Sequence, residues 1–198
     1  MPASDEMWRR WGEWHKYGAR GVKGGEALAL EMNRVVHEYG VRLPVTTDRG
    51  LKARLKYLNS RAGREEMRAQ GITDRALRSW QSGVKPGPAN QQRLENAYWA
   101  RKRENLVRSG WMKRHLENRG MGRMVEIYPV DQAGVIEGRD RWNVQHRRLT
   151  VFDHWADAVD AWAERDEDAL NDVWYDLIQE IGSDWNAYSY VSAISIGV

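Results

Sequence analysis

Arg75, Arg78 and Ser79 lie within one short stretch, Gly71-Ile72-Thr73-Asp74-Arg75-Ala76-Leu77-Arg78-Ser79-Trp80-Gln81-Ser82-Gly83. At helical spacing they share one face, while Ala76, Leu77 and Trp80 fall on the other and Ile72 joins them from the turn. A guanidinium on such a face can donate two parallel hydrogen bonds to guanine O6 and N7. A pair of this kind separates bases by about 1–3 kcal/mol. Thr73 and Ser82 carry hydroxyls suited to phosphate oxygens, which set register without reading sequence. Lys85, just past the helix, offers a further backbone contact.

That chemistry needs a helix held with its apolar side inward. The spacing predicts a first helix from Arg64, a tight turn at Gly71, and a second helix capped by Thr73 or Asp74. This is the layout of a helix-turn-helix, whose second helix enters the major groove. The second half follows that pattern closely. The first half departs from it, with Glu66, Met67 and Gln70 where an apolar, a small and an apolar residue are usual. A basic helical hairpin that docks in no groove is the alternative reading of the same residues.

Charge supports the groove reading. Residues 1–123 hold 26 Lys and Arg against 13 Asp and Glu, a net of +13, and residues 124–198 hold 5 against 15, a net of −10. Residues 48–123 alone carry 19 basic and 7 acidic side chains, a net of +12. An asymmetry this large points to a polyanion as partner of one half. The alternative is that the two halves attract each other.

Around this segment the chain divides into three expected regions. Residues 1–47 form a Trp-rich helical segment, residues 48–120 a basic DNA-binding domain, and residues 121–198 an acidic α+β domain. In the first, Met7, Trp8, Trp11, Trp14, His15 and Gly18 recur at spacings of three and four, and Glu26 to Tyr39 is a second amphipathic helix ended by Gly40. Residues 41–47 are a linker with Asp48 as N-cap, residues 48–85 read as three short helices, and residues 88–119 as one long basic helix. Of that helix's cations, Arg101 and Arg103 join the candidate DNA contacts, which are then Thr73, Asp74, Arg75, Arg78, Ser79, Ser82, Lys85, Arg101 and Arg103. In the acidic region strands are expected at Met124–Val130, Arg148–Phe152 and Tyr188–Val198, and helices at residues 153–165 and 167–181. The fold class is therefore α+β, mainly helical, with a small three-stranded domain at the end.

Other chemistries find less footing. The absence of cysteine excludes disulfides, thiol nucleophiles and cysteine-ligated zinc. His146 and His154, beside Asp153 and Asp157, fall short of the three or four convergent ligands a metal needs, so no metal or cofactor is expected. The glycines at 18, 21, 24 and 25 follow no strand and make no phosphate loop. The acidic run from Asp153 to Glu180 reads as the solvated side of two helices, or as a docking face for a basic partner. The 11 Trp, against one Phe, read mainly as core. Trp8, Trp11 and Trp14 have two further readings: a homodimer seam, or a stack for single-stranded DNA. No apolar run approaches the roughly 20 residues a bilayer requires. The first residues lack a secretory pattern, so a cytoplasmic, nucleoid-associated protein with no membrane partner is expected.

The order of elements, and above all Arg54 to Arg103 with Leu58, Arg61, Arg75, Arg78 and Trp80, resembles the terminal proteins that cap telomeres of linear chromosomes and plasmids in actinobacteria. The resemblance implies binding of replicon-end DNA, a covalent link from a side-chain hydroxyl to the DNA 5′ end, priming of replication, and a telomere-associated protein or DNA polymerase as partner. The family tends to place a threonine between the basic helix and the next strand. Residues 110–127 contain no Ser, Thr or Tyr, and the nearest hydroxyls are Ser109 and Tyr128. The expectation is therefore a non-enzymatic DNA binder. Its competitors are a transcriptional regulator whose acidic domain dimerises or senses a ligand, an enzyme acting on nucleic acid, and an assembly protein of a mobile element.

Overall fold

The computed structural model describes residues 21–130, 144–182 and 185–197. The Trp8–Trp11–Trp14 stripe lies outside these residues. The described residues form two compact units, one from residues 34–110 and one from residues 21–33 with those described beyond residue 110. Helix α1 (Gly24–Glu38) belongs to the latter through Asn33 and to the former from Arg34. Among the described residues, no helix is long and apolar enough to cross a membrane.

Residues 34–110 hold α2 (Asp48–Tyr57), α3 (Arg61–Ala69), α4 (Asp74–Gln81) and α5 (Pro88–Arg108). The first three start the same way. Thr47, Ser60 and Thr73 sit in extended backbone, and each hydroxyl accepts the amide three residues on, at 3.1, 3.0 and 3.2 Å. The cap of α2 is thus Thr47 rather than Asp48, because a hydroxyl on the preceding residue reaches the Gly50 amide. Between α3 and α4 the chain reverses at Gly71, whose φ of +77° suits a residue without Cβ. Leu51, Leu55, Leu58, Met67, Ile72, Trp80, Leu94 and Tyr98 make one continuous core.

A single arginine fixes the approach to α2. Arg54 is buried and donates from Nε to Glu95 at 2.9 Å, from Nη1 to the Leu43 and Gly50 carbonyls, and from Nη2 to the Val41 carbonyl. It sits on the same helical face as Leu51, Leu55 and Leu58. Every donor it carries is matched, which is what makes a buried charge tolerable.

The long helix expected over residues 88–119 is two helices. α5 stops at Arg108, Gly110 takes φ +65°, and α6 (Trp111–Glu117) begins afresh. Gly110 donates its amide back to the Val107 carbonyl at 2.8 Å, which closes α5 and redirects the chain.

The other unit contains α6, α7 (Trp155–Glu164), α8 (Glu167–Gln179) and an antiparallel sheet. Its strands are β1 (Val22–Lys23), β2 (Arg123–Pro129), β3 (Arg147–Val151) and β4 (Tyr190–Ile196), in the order β1-β4-β2-β3. The sheet thus has four strands where three were expected. The extra one is only two residues long, and its glycine-rich surroundings hide it in sequence. Val125 and Ile127 of β2 pair with Ile196 and Ile194 of β4, and all four point inward. Alternation leaves Met124, Glu126 and Tyr128 on the open side.

Three tryptophans anchor this unit's core. Trp155, Trp162 and Trp174 are buried, and each indole N–H is satisfied, by the Val151 carbonyl, Asn33 Oδ1 and the Tyr188 carbonyl at 3.1, 3.2 and 2.9 Å. The core reading of these tryptophans agrees with that burial. Asp157, Asp160, Glu164, Asp172 and Asp176 are all exposed, as the polar sides of α7 and α8 require. One of them, Asp160, pairs with Lys113 at 2.7 Å.

Candidate nucleic-acid interface

Helix α4 is held from one side. Trp80 and Ile72 are buried in the core, and Ala76 and Leu77 pack against it half-buried. The opposite side faces solvent. Arg75 and Arg78 are exposed, as are Asp74 and Ser82, while Ser79 is half-buried. Arg75 has no ion-pair partner among the described residues. Arg78 reaches only the Asp74 carbonyl, at 3.4 Å. Both guanidiniums therefore keep donors in hand.

The flanking groups are more engaged. Asp74 accepts Arg68 Nη2 through both carboxylate oxygens at 3.2 Å, which ties α3 to the first turn of α4. The Thr73 oxygen is occupied by the Ala76 amide, but its own hydroxyl proton is not consumed by that bond. Ser82 donates to the Ser79 carbonyl at 2.8 Å. Lys85 pairs with Asp48 at 3.0 Å, both groups being largely exposed. The Lys85 hydrogen bond is the main reason the Asp48 carboxyl titrates below its usual range.

Arg101 does not belong to this surface. Its side chain is buried, with Nη1 on Glu104 at 2.6 Å and Nε without a partner. The reason is helical phase: Leu94, Ala97, Tyr98 and Arg101 follow at i, i+3, i+4 and i+7 and share the inward face of α5. Arg103 is half-buried on the same helix. Arg93 is the residue that sequence reasoning passed over. It is exposed, and a Cβ placed on Gly71 would lie 3.9 Å from its Cζ, so the guanidinium stands beside the turn that precedes α4. Nothing in sequence spacing signals this, because 22 positions separate the two.

Charge in the unit is strongly one-sided. Residues 34–110 carry 17 Lys and Arg against 7 Asp and Glu, a net of +10. Six of those carboxylates already hold a cation: Glu38, Asp48, Glu65, Asp74, Glu95 and Glu104. The surplus is therefore not neutralised within the unit. Such a surface attracts polyanions and releases their counterions on binding.

The two hydroxyls that flank residues 110–127 are both engaged in hydrogen bonds. Ser109 Oγ donates to the Leu106 carbonyl at 3.3 Å. Tyr128 donates to Glu126 Oε2 at 3.0 Å, and that bond, reinforced by the carboxylate charge, raises the phenol pKa. A phenol held protonated is a weaker nucleophile. His146 lies 4.7 Å from the Tyr128 ring, and His154 occupies the residue before α7 with φ +69°. Among the described residues no group of three or more His, Asp or Glu is placed to hold a metal.

Comparison of the chain with protein-family models, with curated proteins and with solved structures finds no match.

Proposed function

We propose that residues 34–110 bind duplex DNA, with α3, the Gly71 turn and α4 acting as a helix-turn-helix and α4 entering the major groove. The observation that carries this reading is the two-sidedness of α4. Trp80 and Ile72 lock one side into the core, while Arg75 and Arg78 stand exposed on the other in a unit of net +10. In this reading Arg75 and Arg78 address base edges. Thr73, Ser82, Lys85 and Arg93 meet phosphates, and Lys85 exchanges the Asp48 carboxylate for one. Asp74 takes no DNA contact of its own; it orients Arg68 and the start of α4.

The narrower role is binding of replicon-end DNA, in the manner of the terminal proteins the sequence resembles, without use of the chain as a primer. The engaged states of Ser109 and Tyr128 support the second half of that statement. Titration of a labelled duplex with the full chain at several salt concentrations tests the binding. The logarithm of the association constant should fall with the logarithm of salt, by about 0.9 per phosphate contact. A flat response would remove the polyanion as partner. Incubation with polymerase and labelled deoxynucleotide should leave the protein unlabelled, and transfer of label would restore the priming role.

A further inference from the structure

A second feature of residues 34–110 lies away from α4. A cleft of about 590 Å³ is lined by His37, Val41, Arg42, Pro44, Arg54, Gln92, Glu95, Asn96 and Trp99. Its size falls within the range of small-ligand sites. The frame around it is fixed. Tyr98 Oη accepts the Val41 amide at 2.7 Å, and Arg54 holds the Val41 and Leu43 carbonyls. Gly40 runs against Trp99 so closely that a Cβ there would come within 2.2 Å of the ring.

The lining combines three chemistries. The His37 and Trp99 rings lie against each other, with centroids 4.0 Å apart and planes tilted by 42°, and His37 is the exposed member of the pair. Gln92 Nε2 donates to Asn96 Oδ1 at 2.9 Å, which leaves Gln92 Oε1 as an acceptor and Asn96 Nδ2 as a donor. Arg42, at the exposed end, makes only a 3.4 Å contact with the Glu38 carbonyl. The one carboxylate in the lining, Glu95, is neutralised by Arg54, which meets both of its oxygens. An exposed aromatic ring, an adjacent carboxamide donor and acceptor, and a cation with no competing anion suit a planar heterocycle attached to a phosphate.

We infer that this cleft holds an unpaired nucleobase, with the exposed His37 ring, backed by Trp99, as its stacking surface, Gln92 and Asn96 on its polar edge, and Arg42 on its phosphate. The inference rests on the DNA-binding reading and adds to it a preference for duplexes with a single-stranded extension.

The test compares labelled duplexes, blunt or with a short single-stranded adenine tail, by fluorescence anisotropy with the full chain. The tail should tighten binding about tenfold, the size of one stacked base. Asn96→Ala, at an exposed position, and Trp99→Ala should each remove most of that gain and leave blunt-duplex affinity as it was. Because Trp99→Ala also loosens packing, its melting curve is recorded beside it, and a tail carrying 5-iododeoxyuridine is photocrosslinked to the unaltered protein. The crosslink should map to His37 or Trp99. Equal affinity for tailed and blunt duplexes, a tail gain that survives Asn96→Ala, or a crosslink confined to other residues would each overturn the inference. Displacement of the tail by a short uncharged peptide at equal concentration would do the same and make the cleft a peptide site. Binding of blunt duplex without tail preference refutes the cleft alone, whereas tail binding without duplex affinity refutes the role of α4 alone.

Discussion

Replacing Arg54 with methionine separates a structural arginine from a DNA-binding one. The side chain is 3% exposed, and its partner Glu95 is 20% exposed. Arg54→Met leaves that carboxylate without its cation and frees the carbonyls of Val41 and Leu43. Removing one member of a buried pair costs about 3–5 kcal/mol. Residual water access at Glu95 places the expected loss near the lower end, about 3 kcal/mol. The double variant Arg54→Met/Glu95→Met removes both charges and should recover all but about 1 kcal/mol, because the freed loop carbonyls can take water. The assay is hydrogen exchange on the full chain, read at the amides of α2, where about 3 kcal/mol appears as a roughly hundredfold fall in protection. Urea denaturation gives an independent value from the midpoint shift. If Arg54→Met kept wild-type protection while losing DNA affinity, Arg54 would be a surface ligand and the account of the 41–44 loop would fail. If the double variant were less stable than the single one, the loss would not arise from an unpaired Glu95.

Three further perturbations follow from the same structure. Trp80→Ala should destabilise residues 34–110 by about 3–5 kcal/mol, since a large buried ring leaves a cavity; a loss below about 1 kcal/mol in urea melts would mean that the inner side of α4 is not packed as described. Gly71→Ala forces a Cβ into a backbone with φ +77° and should cost about 1–2 kcal/mol of stability, with a neutral result speaking against that turn. In Tyr128→Phe the Glu126 carboxyl should titrate higher, because the Tyr128 hydrogen bond is the largest influence lowering it. A lowered carboxyl favours folding above its unfolded-state pKa, and that contribution fades as pH falls through the folded-state value. The sign is opposite for Tyr128, whose raised pKa favours folding below its unfolded-state value and is lost as pH rises through the folded one. Carbon-detected NMR of the Glu126 carboxyl reads the first shift, and an unchanged midpoint would contradict the bond.

Much of the helical layout is legible in the sequence because local chemistry dictates it. The Thr73 cap, the Gly71 turn and the Ile72–Ala76–Trp80 stripe are all short-range signals, and the structure has each of them. The same holds for β4, whose alternation places Ile194 and Ile196 inward. Errors arise where long-range partners decide. Arg101 reads as a surface cation because arginine is usually exposed, yet it falls, as Arg54 does, on the apolar phase of its helix. That phase was visible in Leu51–Leu55–Leu58 and in Leu94–Ala97–Tyr98, whereas Glu95, 41 positions from Arg54, was not foreseeable. The break at Gly110 was lost in an otherwise uniform run of basic helix formers. The two-residue β1 exists only because β4 offers it an edge, with Val22 opposite Val191. The cleft beside Trp99 draws on residues from 37 to 99 and has no local signature.

The outward side of α4 is tested most directly by selecting bound sequences from a random duplex pool with the full chain, then measuring the best sequence against a scrambled one. For the unaltered protein the selected site should bind more tightly. Arg75→Ala and Arg78→Ala should each reduce that ratio by about 1–3 kcal/mol, while leaving affinity for the scrambled duplex within a few fold. Uniform weakening on both duplexes, or an undiminished ratio in both variants, would contradict base reading by α4.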